Sequence, residues 1–464
     1  MMKKRRVLIA NRGEIAVRLI KACQALDIET VLAASEVDQE SLGASLADEV
    51  VCIGPSPAHL SYLNIKGIID TALTTGADAI HPGYGFLAEN PELSAACEEN
   101  GIIFIGPRSE VMRQLGDKIT ARRIASDGNV PINEGSEKLI SYPDVEAKVK
   151  EMGFPVLFKA SAGGGGRGMR IVMEPEELKN AFSVASMEAR NAFGDPTVFV
   201  ERYIQNARHV EVQILGDNFG KVIHLGLRDC SPQRHYQKVV EEAPPPNLPD
   251  DLGSRIMETA VRLAETIDYN SAGTVEFLID KNRNQFYFME VNTRIQVEHP
   301  VTEMITGIDI IQEQINMAFG SPLSLSQSDI QFKGHAIECR ITAEDTMDDF
   351  FPSPGRITRF VVPGGNSIRV DTHCYEGYVI SPYYDSLMAK VIAKGDNRDE
   401  ALANMKTALS TFEISGVETN IPFLQFLINQ TDFIQGNINI KWIENKVLPQ
   451  FLETINQGGN HAQR

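Results

Sequence analysis

Short apolar runs alternate with longer amphipathic segments over residues 5–110. RVLIA is followed by GEIAVRLIKACQAL, TVLAAS by a segment near 40–48, EVVCIG by one near 61–74, and ADAIHP by one near 91–99 that ends at IIFIG. The short runs have strand length and the segments between them carry the helical period. This alternation predicts a parallel α/β sheet with crossover helices. The turn after the first strand, Asn11-Arg12-Gly13-Glu14, lacks the glycines of a dinucleotide site. His81-Pro-Gly-Tyr-Gly-Phe follows the strand ADAI, at the carboxyl edge where such sheets place ligands.

Farther along, the pattern turns to hairpins. Asp117-Lys118 opens a helix, and FPVLFKAS, AGGGGRG and MRIVM then read as strand, glycine loop, strand. Gly163-x-Gly165-x-x-Gly168 matches the dinucleotide fingerprint in letters, but that fingerprint needs a helix after its glycines. A glycine loop between two apolar strands predicts a flap whose backbone N–H groups close over phosphates. Lys159, just before it, can aim a positive charge at them. A helix near 175–190 leads to TVFVERYI, where Glu201–Ile204 suit a purine edge and ribose. RHVEVQILGD and KVIHLGLRD form a hairpin around Asp217–Gly220, in which a lone His209 reads first as structural. Arg228, Arg234, His235 and Lys238 then form a basic cluster that suggests an anion site.

A helix over 250–268 precedes a second hairpin, GTVEFLID–KNRN–QFYFMEVN. Pairing about Arg283 sets Glu276 opposite Glu290, with Cβ atoms about 5 Å apart. Two bare carboxylates that close repel unless a cation sits between them. With Asn292 they make a hard oxygen set suited to Mg²⁺ or Mn²⁺ on a nucleotide phosphate. Beyond it, Glu290, Asn292, Arg294, Gln296 and Glu298 alternate with Val291, Thr293, Ile295 and Val297. An extended backbone would turn all five polar groups to one wall. A solvated strand also alternates, but it mixes Thr, Lys and Ser rather than presenting Glu-Asn-Arg-Gln-Glu, so the stretch reads as an active-site wall. A helix over 300–319 and a polar linker lead to a sheet-rich tail. Its strands are GHAIECRITAED (with Arg340 near Glu338), TRFVVP, SIRVDTH and LMAKVIAKG, followed by further helices.

The chain has 464 residues, about three domain lengths, so two to four domains are expected. A net charge of −18 argues against a general nucleic-acid or anionic-membrane binder while leaving room for a basic phosphate pocket. The six cysteines lack any CxxC pair, which argues for reduced thiols rather than disulfides or structural zinc. The apolar run Val7–Ala10 is too short for a signal peptide, and no stretch has the length of a membrane span. A cytoplasmic protein is expected.

With the glycine flap, the Glu276/Glu290/Asn292 set and EVNTRIQVEHPVTEM in hand, the chain resembles the ATP-grasp ligases, and among them the biotin carboxylases. The likeness runs from RVLIANRGEIAVRLIKAC to about residue 446 through HPGYGFLAEN, KASAGGGGRGMR, RHVEVQ, RDCSPQR, QKVVEEAP, GHAIECRITAED and PSPGRITRF. It implies an ATP-grasp fold of mixed α/β class. An N-terminal parallel α/β domain (1–116) would precede an ATP-grasp domain (117–330) with a mobile glycine-rich lid (about 132–203). A β-rich C-terminal domain (331–446) and a tail (447–464) would follow. It also implies that Lys118, Lys159, Gly165, Gly166, the hinge residues Glu201, Arg202, Tyr203 and Ile204, and His209 hold ATP. Glu276, Glu290 and Asn292 would hold two Mg²⁺ or Mn²⁺ ions, the two glutamates serving the nucleotide as well. Lys238, Arg294, Gln296 and Val297 would hold bicarbonate. Glu298 would be the general base for attack on the γ-phosphate, Arg340 would stabilise the biotin enolate, and Tyr84 would line the biotin site.

One departure stands out. Where the family usually reads QRRHQK, this chain has Gln233-Arg234-His235-Tyr236-Gln237-Lys238, so a neutral, bulkier tyrosine replaces a histidine near the nucleotide. The Met-Lys-Met hairpin that carries biotin in the family does not occur in the chain. Biotin would therefore come on a separate biotin carboxyl carrier protein, and carboxyltransferase subunits would finish the reaction. The resemblance points to a homodimeric subunit of a bacterial-type acetyl-CoA carboxylase. The alternatives are the same subunit serving pyruvate, 2-oxoglutarate or another acyl-CoA, and a non-catalytic ATP-binding homologue.

Overall fold

The first apolar run becomes the middle strand of a five-stranded parallel sheet. In the computed structural model, which describes residues 4–136, 139, 141–160 and 169–461, β1 (Arg6–Ile9), β2 (Glu29–Ser35), β3 (Glu49–Gly54), β4 (Ala79–His81) and β5 (Ile103–Phe104) stand in the order β3-β2-β1-β4-β5. Val7, Leu8 and Ile9 are fully buried, as expected for a strand covered by helices on both faces. The helix Gly13–Ala25 leaves the carboxyl edge of β1 directly. There Asn11 Nδ2 donates to the Pro82 and Tyr84 carbonyls at 2.6 and 2.7 Å, tying the first turn to the HPGYG turn after β4. Gly83 has φ +63°, and a Cβ on it would meet Asn11 Nδ2 at 3.0 Å and Ile15 at 3.1 Å, so the clamp requires glycine.

A three-stranded antiparallel sheet follows, in the order β7-β6-β8, from β6 (Val156–Ala160), β7 (Arg170–Val172) and β8 (Val198–Arg202). The helices Tyr142–Met152 and Leu178–Phe193 accompany it, and Val145, Val149, Phe158, Ala185 and Val200 form its own core. β6 and β7 pair antiparallel on either side of the glycine run, as the strand–loop–strand pattern requires. Gly165 and Gly166 lie outside the described residues.

The main body is one eight-stranded antiparallel sheet. Its strands are β9 (Ala207–Gly216), β10 (Val222–Asp229), β13 (Val240–Ala243), β14 (Ser271–Asp280), β15 (Gln285–Asn292) and β16 (His335–Thr342), with the short pair β11 (Gln233–Arg234) and β12 (Gln237–Lys238) set beside it. The order is β15-β14-β9-β10-β13-β16, continued by Leu387–Gly395 and Ile368–Thr372. The tail strands thus extend the same sheet. One face of β9 carries Val210, Val212 and Ile214 into a core shared with the helix Asp250–Thr266. The other face carries His209, Glu211 and Gln213, and neighbouring strands keep the polar register: Glu211 opposite Arg228 and Glu276, Gln213 opposite Thr274, Glu241 opposite Glu338, and Arg340 opposite Lys390. Directly opposed residues share a face, so a strip of ionisable groups crosses the sheet.

The expected hairpin register holds for an unexpected reason. Near the turn Asp280 pairs Gln285 and Phe277 pairs Phe288, a register centred between Asn282 and Arg283. An irregularity after Glu276 then shifts the pairing so that Glu276 meets Glu290 and Thr274 meets Asn292. The expected single helix over 300–319 is two, His299–Thr306 and Ile310–Ala318, because Gly307 adopts a left-handed cap. No helix among the described residues is long and apolar enough to cross a membrane. The six cysteines are free.

Candidate active site

Lys238 is the centre of the polar strip. Its ammonium lies 2.6 Å from Glu211 Oε2, 2.9 Å from Glu276 Oε1 and 2.6 Å from Glu298 Oε1. Burial alone would lower its pKa, but the three carboxylates outweigh that and hold it well above the ordinary lysine value. The carboxylates divide in turn. Burial raises the Glu211 pKa against the pull of Lys238 and Arg228, whereas for Glu276 and Glu298 the surrounding cations win over burial and hold the pKa below the usual carboxylate range. Arg340 sits on the far side of Glu298, with Nη2 2.9 Å from Oε2, and its Nε donates to Glu241 at 2.6 Å. Burial and Glu298 push the Glu241 carboxyl up to about 7 despite Arg340. Each oxygen of the fully buried Glu298 therefore faces one cation.

The stretch that feeds this centre is not a strand to its end. β15 stops at Asn292, residues 293–298 form bends and a turn, and Glu298 is the N-cap of the helix His299–Thr306. Pro300 in the first helical turn and the buried Ile295 pull the chain away from the sheet. The shared wall survives by side-chain bonding instead of period 2. Arg294 donates to Asn292 Oδ1 (3.2 Å), Gln296 Oε1 (2.7 Å) and Glu89 Oε2 (2.9 Å), and Gln296 Nε2 donates to Glu276 Oε1 (3.1 Å). Val297 presents its carbonyl to Lys390 at 2.8 Å.

On the other side a pocket opens between the three-stranded sheet and the main sheet. Leu157, Met169, Ile204, Leu278, Met289 and Ile440 give it apolar walls, and Lys159, Glu201, Arg202, Tyr203, His209 and Tyr236 give it polar ones. Lys159 lies 2.7 Å from Glu201 Oε2, and Arg122 bonds the other oxygen. The two cations outweigh burial and lower the Glu201 pKa. His209 Nε2 is 3.1 Å from Glu276 Oε2, which ties the pocket to the Lys238 centre. Lys118 follows the capping Asp117 and reaches Glu290 at 3.8 Å. Glu276, Glu290 and Asn292 offer only oxygen as metal donors, so the set fits a hard divalent cation. Tyr84 lies apart from this pocket. It bonds Glu14 and lines a cleft with Asn11, Gly85, Phe86, Asp385 and Leu387.

A pocket with apolar and polar walls, a hard-cation set and a carboxylate between two cations thus share one sheet face. Family models match along the chain in order: biotin carboxylase, N-terminal domain, over residues 3–112; carbamoyl-phosphate synthase L chain, ATP binding domain, over 117–326; and biotin carboxylase C-terminal domain over 338–445. Biotin carboxylase 1 of Bacillus subtilis (strain 168) is 51% identical over 445 residues, covering 96% of this chain and 98% of that protein. The chain belongs to the biotin carboxylase family. A pyruvate carboxylase component of Methanothermobacter thermautotrophicus is 48% identical, covering 95% of this chain and 89% of its own length. The biotin carboxylase domain dimer of Hydrogenobacter thermophilus 2-oxoglutarate carboxylase, solved with MgADP, ADP and bicarbonate, superposes with a TM-score of 0.93 at 47% identity over 97% of this chain and 99% of that one. A biotin carboxylase is a ligase that carboxylates biotin.

Within this biotin carboxylase the basic cluster is not one anion site. Only Lys238 joins the carboxylates in the way described. Arg228, fully buried, is spent on Glu211, Gln213, Thr274 and Thr302. Arg234 stacks over Phe350 and bonds Asp349, while His235 is mostly exposed. His235 and Tyr236 form the tight turn between β11 and β12 with φ +49° and +63°, a conformation that favours Asn-Gly. The C-terminal segment holds them there. Glu444 accepts the His235 N–H at 2.8 Å, and Lys441, 2.8 Å from Glu444, lies 4.1 Å from the Tyr236 ring centroid. Lys441→Met is expected to raise KM for ATP several-fold with kcat little changed, since a cation–π contact is worth about 0.5–2 kcal/mol. Initial-rate kinetics at varied ATP check this.

Glu211, Glu241 and Glu89 carry as much of the geometry as the residues singled out from sequence. Glu211 and Gln213 follow His209 at period 2 in a strand with no exposed residue, and two uncharacteristic polar residues in such a strand are a readable signal. Glu89, which bonds Arg294 and the Thr293 N–H, comes from the turn between β4 and the helix Pro91–Glu99 and leaves no trace in the local pattern.

Proposed function

We propose that this chain is the biotin carboxylase subunit of an acetyl-CoA carboxylase, carboxylating biotin with ATP and bicarbonate in the half-reaction that leads to malonyl-CoA and fatty acid synthesis. The observation that carries the reading is Glu298 held between Lys238 and Arg340 beside the Gln296–Arg294 loop. Biotin would arrive on a biotin carboxyl carrier protein, and carboxyltransferase subunits would pass the carboxyl group on. The likeness to Bacillus subtilis biotin carboxylase 1 supports the biotin carboxylation itself. The likeness to the pyruvate and 2-oxoglutarate carboxylase components favours a second reading, the same half-reaction serving another acceptor. The Hydrogenobacter domain was solved as a dimer, and we extend that state to this chain. A cytoplasmic location and three working units, 1–116, 117–330 with a lid over about 132–203, and 331–446, complete the proposal.

In this reading Lys118, Lys159, Gly165, Gly166, Glu201–Ile204 and His209 bind ATP. Glu276, Glu290 and Asn292 would hold two Mg²⁺ or Mn²⁺ ions, which when bound neutralise charge on the phosphates. Lys238, Arg294, Gln296 and Val297 orient bicarbonate, and Glu298 takes its proton as an oxygen attacks the γ-phosphorus. ADP leaves and carboxyphosphate forms, which breaks into CO₂ and phosphate. The phosphate removes the ureido N–H proton of biotin at the Tyr84 side. Arg340 stabilises the resulting enolate, whose nitrogen attacks CO₂. Closure of the lid excludes water that would hydrolyse carboxyphosphate.

ADP release from the purified chain should depend on both bicarbonate and free biotin, tested by omitting each in turn. No stimulation by biotin would overturn the proposal. Arg294→Ala is expected to abolish carboxylation while ATP binding, read by calorimetry, stays nearly intact. Equal loss of both would show that Arg294 serves the nucleotide instead. The neighbouring carboxyltransferase decides the acceptor.

A further inference from the structure

Lys390 has no role in the chemistry above, yet it is fully buried in the strand Leu387–Gly395. Burying a lysine is unfavourable unless its charge is paired. Here the ammonium lies 3.1 Å from Glu14 Oε1 and 4.0 Å from Asp371 Oδ2, and it donates to the Val297 carbonyl at 2.8 Å. Glu14 is also buried and accepts the Tyr84 hydroxyl on the same oxygen, Oε1. One ammonium therefore joins the first helix (Glu14), the 293–298 loop and the tail strands.

The loop is where such a tether matters. Residues 293–298 have no ladder to hold them. The Thr293 N–H goes to Glu89, the Ile295 carbonyl to Arg294, the Gln296 carbonyl to His299, and the Val297 carbonyl to Lys390. The Val297–Glu298 peptide is planar. Fixing its carbonyl therefore fixes the direction in which the chain enters Glu298, whose carboxylate must stand between Lys238 and Arg340. A methionine would fill the same volume without reaching the carbonyl.

We propose that Lys390 is a positioning residue: it sets the Arg294–Glu298 loop for bicarbonate and, through Glu14, couples that loop to the cleft lined by Tyr84. The inference rests on the proposed function, which assigns bicarbonate to the loop and biotin to the cleft. Coupling between sites is reciprocal, so occupancy of the Tyr84 cleft changes bicarbonate affinity by the same factor that bicarbonate changes affinity at the cleft.

Steady-state ADP release measured at varied bicarbonate and varied ATP, with and without free biotin, tests this. Lys390→Met should raise KM for bicarbonate about tenfold and lower kcat, with KM for ATP unchanged within twofold. In this variant biotin should no longer alter the bicarbonate KM. Tyr84→Phe should give a smaller shift in the same direction, and the double variant should be no worse than Lys390→Met alone. Glu14→Gln keeps the volume and weakens the tether, so it supplies the same readout if Lys390→Met does not fold. Equal increases in both KM values, additive effects of the two substitutions, or a loss of thermal stability with unaltered kinetics would each overturn the role. A wild-type chain without biotin-dependent turnover would instead overturn the parent function.

Discussion

Glu298→Gln is expected to lower bicarbonate- and biotin-dependent ADP formation by about 10²–10⁴-fold, the span usual for loss of a general base. Glutamine keeps the size of the side chain but cannot keep its partners. Glu298 Oε1 faces Lys238 and Oε2 faces Arg340, and neither cation can accept a hydrogen bond. Whichever way the amide turns, its NH₂ meets a cation. The pH dependence separates this role from others. The cations hold the Glu298 pKa below the ordinary carboxylate value, so the stability its ionised form contributes is present above the unfolded value, roughly 4.3, and is lost only as pH falls through the lower folded value. Between about pH 6 and 8 the Glu298 carboxylate is ionised throughout, so the wild-type to Glu298→Gln rate ratio should change there only as far as Glu241, which Glu298 helps push up to about 7, titrates. In a background that carries Glu241→Gln the ratio should stay constant, and a swing of about tenfold there would assign the proton transfer to another group. A carboxylate of depressed pKa is a weak base. In the proposed reaction, an incoming bicarbonate that shared Lys238 with Glu298 would weaken that hold and raise its basicity at the moment of reaction.

The second large effect is expected from Lys238→Met. Removing one partner of a buried ion pair leaves an uncompensated charge, at about 3–5 kcal/mol, and here three carboxylates lose the same ammonium. Global stability should fall by an amount of that order, and biotin-dependent turnover should vanish with it. The loss should be partly recovered by divalent cation. Glu276 is among the three carboxylates, and a cation bound there supplies the missing positive charge. Thermal melts with and without Mg²⁺ and ADP check this: the gain in melting temperature should be larger for Lys238→Met than for wild type. An equal gain in both would place the metal set away from the Lys238 carboxylates.

What could be read from sequence was what the backbone decides locally. Strand–helix alternation gave the parallel sheet, and the apolar runs around AGGGGRG gave the pairing of β6 with β7, because both follow from the period of a few consecutive residues. The Glu276–Glu290 opposition was also readable, although it depends on an irregularity that the hairpin pattern does not announce. Long-range partners were not readable in this way. Glu89 reaches Arg294 from a turn of the N-terminal region, and Glu211 gains its meaning only when β9 is set against β10 and β14. The end of β15 at Asn292 was hidden because Arg294–Glu298 continues a strand-like alternation while Pro300 and the helix behind it turn the backbone. Lys390 did leave a mark, as a charge inside the otherwise apolar run LMAKVIA.

The continuity of the main sheet has a bearing on dissection of the protein. β13 pairs with β16 across the polar linker that separates two of the matched sequence domains. A polypeptide ending near residue 330 would therefore expose the whole edge of β13, with Glu241 and Glu242 stripped of Arg340, His335 and Arg398. Its complement would begin with β16 equally bare. Open edges of this kind recruit other strands, so neither fragment is a sound unit for expression.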